Sequence, residues 1–525
     1  MSTTTRSSIA LFARRKLEVA LVIAGLSGFI ALSYEIVWYR VLSVMTRGLA
    51  STFGILLAVY LVGIAVGARV AGIFCKDKRG ERRELVILAG FVAVANAIAA
   101  LVVPAFAWSA KFTDYRFGLV VVAVGAACLG AILPLVSHFA IEPDERAGAR
   151  LSYVYLANIV GSAVGSLFTG FVLMDHLPLA SIARVLTVAG FVLASGILVL
   201  GRSRAVGHGA IALGIVGALL SMPRLYDRVY ERLILKWADD GKQRFAQVVE
   251  TKSGVITVLE DGTIYGGGTY DGVLNTQIQK NDLNGILRAY AVHAIHPAPR
   301  EVLMVGLSGG AWAQVVAHLP NVEKLTVVEI NPGYVEVVRT HPEVSSLLSN
   351  PKVTIEFDDG RRWLQRHPER KFDFIVMNTT LHWRAHATSI LSSEFMEIAR
   401  KHLAPGGVFY FNTTDSYDVQ LTAATLFPHL LRIANFIAVS ETPFAFDRPR
   451  WKRLFETMTV DGKPVLDLSL ESDKKVLEEL AGYNDMEPRW SILQRYTKEL
   501  PKRVVTDDNM VVEWEDPLLY PKPEK

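Results

Sequence analysis

The stretch Arg300-Glu-Val-Leu-Met-Val-Gly-Leu-Ser-Gly-Gly-Ala-Trp312, followed by Leu325-Thr-Val-Val-Glu-Ile-Asn331, decides the fold of the C-terminal half. The first apolar run reads as a buried strand. The glycines form a turn that opens a helix, and the second apolar run is a strand ending in an acid. A doubly wound sheet holds a nucleoside in this way. Gly306 and Gly310 let the backbone, with Ser308 between them, approach the ligand, and the Glu329 carboxylate can take both ribose hydroxyls.

Downstream, strand and helix patterns alternate. Strands are expected at 301–306, 324–330, 352–357, 372–377 and 407–412, with helices at 311–319, 332–340, 360–366 and 390–403. This order predicts a parallel sheet covered by helices on both faces. Ligands bind such sheets beyond the carboxyl ends of the strands. Gly306, Glu329, Asp358, Asp359 and Asn378 all fall there. Upstream, residues 244–268 alternate around Asp261-Gly262, which predicts a small antiparallel sheet, and a helix is expected over 283–296. The tail from 461 is polar and suggests no chemistry.

Residues 17–222 are of another kind. Six apolar segments, at about 17–38, 52–75, 85–108, 117–141, 151–173 and 181–200, are long enough to span a bilayer. A seventh, 206–222, is shorter and stops at Pro223. Gly63, Gly67, Gly161, Gly165 and Gly170 recur at helical spacing, as expected for close helix packing. Glu35 is expected to pair with Arg40 at an interfacial anchor; the alternative is a pathway role for an intramembrane acid. His138, Asn96 and Asn158 also sit in apolar surroundings. Arg6, Arg14, Arg15, Lys16, Lys76, Lys78, Arg79, Arg82, Arg83, Arg146, Arg150, Arg202 and Arg204 share one side; Arg40, Arg47, Lys111 and Arg116 are on the other. The N-terminus is therefore expected in the cytoplasm of a multi-pass inner-membrane protein. A cytoplasmic soluble half, where sulfonium nucleosides are expected, requires six crossings. On that ground 206–222 is expected to be interfacial or re-entrant.

The totals exclude other classes. A net charge of +4 without a basic aromatic-laced stripe argues against nucleic acid. The only cysteines, Cys75 and Cys128, lie in the apolar half, which excludes a disulfide framework and a thiol metal site. His382 and His386 are four apart, but a third ligand is lacking nearby, so no metal is expected.

Tyr270-Asp-Gly-Val-Leu-Asn275, His296 to Gly306, Val327 to Pro332 and Asp358-Asp-Gly-Arg361 resemble the spermidine synthase family. The resemblance covers roughly residues 244–450. The whole chain resembles a bacterial branch in which this domain is fused to a multispan membrane half. It implies an N-terminal β-domain, a methyltransferase-like Rossmann domain, and transfer of an aminopropyl group from decarboxylated S-adenosylmethionine to a diamine. By that resemblance Asp359 meets the adenine amino group, and a homodimer through the soluble domain is expected. The expected division is a helical membrane bundle (1–222), linker and small β-domain (223–282), Rossmann-like synthase-type domain (283–460) and C-terminal extension (461–525).

The departures fall where the family holds its diamine. The family's glycine-loop aspartate aligns with Gly309. Its catalytic Asp-Ser-Ser-Asp aligns with Asn378-Thr-Thr-Leu381, and its diamine-holding glutamine, tyrosine and glutamate align with Asn275, Asn284 and Ile286. An amide cannot take the proton of an attacking amine. Loss of the Gly309 counterpart also removes a repulsion against the carboxylate of intact S-adenosylmethionine. Candidate catalytic residues are therefore Asn378 together with His382, His386 or Asp415 as base. The expected function is transfer of a methyl or alkyl group from S-adenosylmethionine, or its decarboxylated form, to a small-molecule or lipid acceptor at the bilayer. The alternatives are a divergent polyamine aminopropyltransferase and a non-enzymatic transporter or sensor.

Overall fold

The computed structural model describes residues 3–76, 80–112, 115–201, 205–278, 285–378, 381–498 and 503–514. Thr379, Thr380 and Asn284, read above as family departures, lie outside the described residues. The chain divides into two compact units. One comprises Met1–Thr46, Thr52–Arg244 and Glu250–Lys252; the other comprises Arg47–Ser51, Phe245–Val249 and Ser253–Lys525.

The first unit is helical. Among the described residues, seven helices are long and apolar enough to cross a membrane: Arg15–Met45, Thr52–Phe74, Glu81–Phe112, Arg116–Ala140, Ala147–His176, Leu179–Leu200 and Gly207–Leu225. The last is the segment expected to be interfacial. It continues through Pro223 and reaches 19 residues, because a proline near a helix end removes only one backbone bond.

Close packing explains two glycines directly. A Cβ at Gly67 would lie 1.8 Å from the Ala127 carbonyl oxygen, and one at Gly161 would lie 1.9 Å from that of Gly25. Gly170 differs: nothing lies within 4 Å of its Cβ position, and it falls in the π-helical turn Thr169–Leu173. The expected Glu35–Arg40 pair does not form. Arg40 donates instead to the Thr251 and Lys252 carbonyls, at 2.8 and 3.0 Å, while Glu35 is buried. Asn158 donates across helices to the Ala24 carbonyl, as bundle-stitching amides do, whereas Asn96 bonds back to the Val92 carbonyl four residues earlier in its own helix.

Among the described residues there are two principal sheets. Strands β1 (Phe245–Thr251), β2 (Gly254–Leu259), β3 (Thr263–Gly266) and β4 (Thr269–Val273) form an antiparallel meander that turns at Asp261-Gly262. The larger sheet contains β5 (Glu301–Val305), β6 (Lys324–Glu329), β7 (Val353–Phe357), β8 (Phe372–Met377), β9 (Leu403–Asn412), β10 (His429–Ile433) and β11 (Phe436–Ser440). A short ribbon of β12 (Thr459–Val460) and β13 (Lys463–Pro464) precedes the edge strand β14 (Met486–Pro488). The order is β14-β10-β11-β9-β8-β5-β6-β7.

Strands β5 to β9 are parallel as expected, but β11 and β10 add antiparallel to β9 and carry β14. The sheet is therefore mixed. The expectation stopped at residue 412 because a β10–β11 hairpin carries no crossover helix to announce it. Alternation along the central strands supplies two cores. Val302, Met304, Val327, Phe374, Val376 and Tyr410 fill one face. Leu303, Val305, Val328, Ile375, Met377 and Phe409 fill the other.

Two local expectations are corrected. The helix read as 390–403 is two helices, Thr388–Leu391 and Ser393–Lys401, separated where the Ser392 hydroxyl caps the Phe395 amide. The tail is also no mere polar appendage. Ile492, Val505 and Val512 are fully buried in the second core.

Candidate active site

The glycine turn follows β5 directly. Gly306 takes φ 94° and Gly310 takes φ 80°, a region open to glycine at little cost. Ser308, between them, is forced to φ 48°. The Cβ position of Gly306 has only the Asn378 carbonyl oxygen near it, at 3.5 Å, so the turn presents bare backbone next to the end of β8.

Glu329 ends β6 and is almost fully buried. Its Oε2 accepts from the Leu307 amide at 2.6 Å and its Oε1 from the Asn331 amide at 2.7 Å. Each oxygen keeps a second lone pair, so the carboxylate can still take a vicinal diol. Burial pushes its pKa up to about 7, against the pull of the two amides, and nearby Asp271 raises it further. A buried carboxylate at the glycine turn and an uncovered backbone at Gly306 fit a ribose-bearing ligand.

The other two acids are committed locally. Asp359 caps the helix Gly360–Arg366 by accepting from Arg362 N at 2.9 Å. Asp358 pairs with Arg366 at 2.7 Å.

At the neighbouring strand ends the side chains form a neutral ladder. Asn412, ending β9, donates to Asn378 Oδ1 at 3.1 Å, and its own Oδ1 accepts from Asn435 at 3.0 Å and from Thr414 N at 2.8 Å. Arg288 donates to Asn435 Oδ1 and lies over the rings of Trp312 and Phe436. His382 joins the ladder through Thr414: its backbone amide and Nδ1 lie 3.0 and 2.7 Å from Thr414 Oγ1. The structure thus brings Gly306, Asn378 and His382 into one neighbourhood. His386 and Asp415 are exposed, both with left-handed backbone.

A second cluster was missed from sequence. Asp271, on β4, accepts from the Tyr334 hydroxyl, and its carbonyl accepts from Ser308 Oγ at 2.8 Å. Burial raises the Asp271 carboxyl, while Tyr334 and the Arg384 guanidinium pull it back. Burial also depresses the Arg384 pKa, and Asp271 opposes that. Arg384 lies in the segment after Asn378, and Leu49 pairs with it as an isolated β-bridge. Ala385 N donates to Gly48 O at 2.9 Å. Nothing in the spacing of Asp271, Tyr334 and Arg384 announces this meeting, although Asp271 lies inside a segment that resembles the family.

At Gly309 a side chain would have to displace the ends of two apolar side chains. A Cβ on Gly309 would lie 2.2 Å from Ile264 Cδ1 and 3.0 Å from Leu274 Cδ2. The tail completes the site region. Glu513 accepts from the amides of His386 and Thr388 at 2.9 and 2.8 Å, holding the segment after Asn378 at both ends of one carboxylate. In Glu513→Gln one of those amides faces an NH2 group, a loss of about 1.4 kcal/mol. Exchange of the 386–388 amides is expected to speed up roughly tenfold by hydrogen-exchange mass spectrometry. Unchanged exchange would show that the tail does not hold this segment.

Residues 289–428 match the spermine/spermidine synthase domain family. The chain carries a spermine/spermidine synthase domain. Over 355 residues it is 24% identical to a polyamine aminopropyltransferase of Mycobacterium tuberculosis (strain CDC 1551 / Oshkosh), covering 62% of this chain and 64% of that one. Over 144 residues it is 30% identical to the polyamine aminopropyltransferase of Streptococcus pneumoniae serotype 4, covering 26% of this chain and 50% of that one. The chain thus spans less than two thirds of either relative. The crystal structure of spermidine synthase from Thermotoga maritima superposes with a TM-score of 0.33 at 16% identity, over 41% of this chain and 80% of that one. The synthase domain includes Glu329, Asn378 and His382, whereas Asp271, Asn435 and Glu513 lie outside the matched residues.

Proposed function

We propose that this chain is a membrane-embedded transferase that takes a methyl or alkyl group from S-adenosylmethionine, or its decarboxylated form, and passes it to a neutral or anionic acceptor at the bilayer. The observation that carries this reading is the placement of buried Glu329 on the glycine turn, beside a strand end that offers an amide where the family offers a carboxylate. Glu329 and the Gly306–Gly310 backbone hold the nucleoside. A sulfonium carries its own leaving group, so transfer relies on positioning and exclusion of water. The acceptor atom attacks the carbon on sulfur, the carbon–sulfur bond breaks to a neutral thioether, and the acceptor's proton passes to His382. Asn378, fixed by Asn412, orients the acceptor. Arg288 beside this neutral ladder disfavours a dication.

The relatives' names favour a second reading, polyamine aminopropyl transfer. Calorimetry and turnover on the full chain in nanodiscs separate the two. Binding of S-adenosylmethionine without turnover of putrescine is the expected result. Putrescine turnover with the decarboxylated nucleoside would establish the second reading, and no binding of any adenosyl sulfur compound would remove both.

The seven apolar helices are read as spans. Seven crossings put the residues after the last span on the face opposite the N-terminus. With the lysine and arginine bias this orients the synthase unit away from the cytoplasm, against the initial expectation, so the nucleoside must be supplied on that face. Protease added to sealed right-side-out vesicles is expected to remove the C-terminal half. Full protection would restore the cytoplasmic orientation.

A further inference from the structure

The helical unit contains a cavity of about 320 Å³ remote in sequence from the synthase motifs, with Ala107, Trp108 and Lys111 on one wall and Arg228, Arg232, Lys236 and Asp239–Gly241 on the other. We propose that it binds the phosphate ester of an anionic phospholipid headgroup. This site depends on the reading of the apolar helices as spans, and not on the transferase chemistry.

Four cations line the cavity, Lys111, Arg228, Arg232 and Lys236, against the carboxylates of Asp239 and Asp240, leaving a surplus of two positive charges. The carboxylates are already engaged. Asp239 accepts from Arg228 at 2.5 Å and from Gly241 N at 3.1 Å, and Asp240 accepts from Lys242 N at 2.8 Å and Gln243 N at 3.1 Å. The Arg228 side chain is 9% exposed, yet its Nε is buried without a hydrogen-bond partner. That Nε has no accessible surface, so a ligand in the cavity meets the two surplus charges rather than this N–H.

The surroundings select a lipid over a free anion. Ala107 and Trp108 belong to the apolar helix Glu81–Ser109, and Trp108 packs edge-on against Phe112 and Phe117, each at 5.2 Å. Trp108, Phe112 and Trp237 are exposed, as aromatic residues are at a membrane–water boundary. A basic pocket at the ends of spanning helices, walled by such a belt, suits an anionic headgroup whose chains lie along the apolar helix.

Flotation of the full chain with liposomes first tests whether it enters bilayers at all. Native mass spectrometry in detergent then compares phosphatidylglycerol with phosphatidylcholine. At least tenfold preferential retention of phosphatidylglycerol is expected, reduced to near parity by Lys111→Gln/Arg232→Gln and unchanged by Lys242→Gln, which lies outside the cavity lining. Equal retention of the two lipids by an inserted chain overturns the proposal. So does complete displacement of phosphatidylglycerol by millimolar inorganic phosphate, which would make the site one for a free anion.

Discussion

Replacing Glu329 by Gln is expected to weaken binding of S-adenosylmethionine by about 100-fold. Each hydrogen bond to an ionised acceptor contributes about 1.5–3 kcal/mol, and the amide keeps one acceptor where the carboxylate has two. The same exchange leaves Leu307 N or Asn331 N facing an NH2 group, so calorimetry belongs well below the variant's unfolding temperature. A pH series sharpens the test. The Glu329 carboxyl is pushed up to about 7, chiefly by burial. The ionised form accepts both hydroxyls best, so affinity is expected to rise with pH up to about 7 and then level off. That rise should vanish in Glu329→Gln. Folding stability runs the other way. The folded state holds this proton more tightly than the unfolded chain, so this group's contribution is complete below about 4.5, declines as pH rises to about 7, and is flat above. A wild-type affinity independent of pH between 5 and 8, on the order of the carboxyl's titration range, would detach Glu329 from the ligand.

Gly309→Asp, which writes the family's aspartate back into the loop, is expected to destabilise the protein by about 4 kcal/mol without conferring activity on putrescine. The new Cβ would overlap Ile264 Cδ1 and crowd Leu274 Cδ2. Overpacking of this kind costs about 1–3 kcal/mol. A carboxylate set among those methyls adds a desolvation cost of about 1–3 kcal/mol even when protonated. Thermal unfolding of the full chain in detergent reads the first effect, and an aminopropyl-transfer assay reads the second. An unshifted melting temperature together with new diamine turnover would mean that the loop is a spermidine synthase loop lacking one side chain. The proposed acceptor chemistry would then be wrong.

Much of the synthase domain was legible because its signals are local. The run Glu301 to Val305, the positive-φ glycines at 306 and 310, and the acid at 329 form a chemical sequence whose meaning depends on near neighbours. The parallel strands β5 to β9 announced themselves by the helices between them. What stayed hidden depended on contacts far apart in sequence. The β10–β11 hairpin has no crossover helix, and β14 is three residues long. Glu513 holds amides 127 and 125 residues upstream. Asp271 meets Tyr334 across 63 residues, and no periodicity encodes that distance.

The sequence by itself determined that an apolar helical half precedes a parallel sheet opened by a glycine turn. Composition and short-range pattern suffice for that, since bilayer length and strand-turn-helix geometry are written within about 20 residues. Only the tertiary structure decided that Gly309 is filled by Ile264 and Leu274, that Asn378 is held in an amide ladder, and that Arg47–Ser51 packs with the synthase unit. These are matters of which surfaces meet once the chain is packed, and packing is fixed by the whole core rather than by any one segment of it.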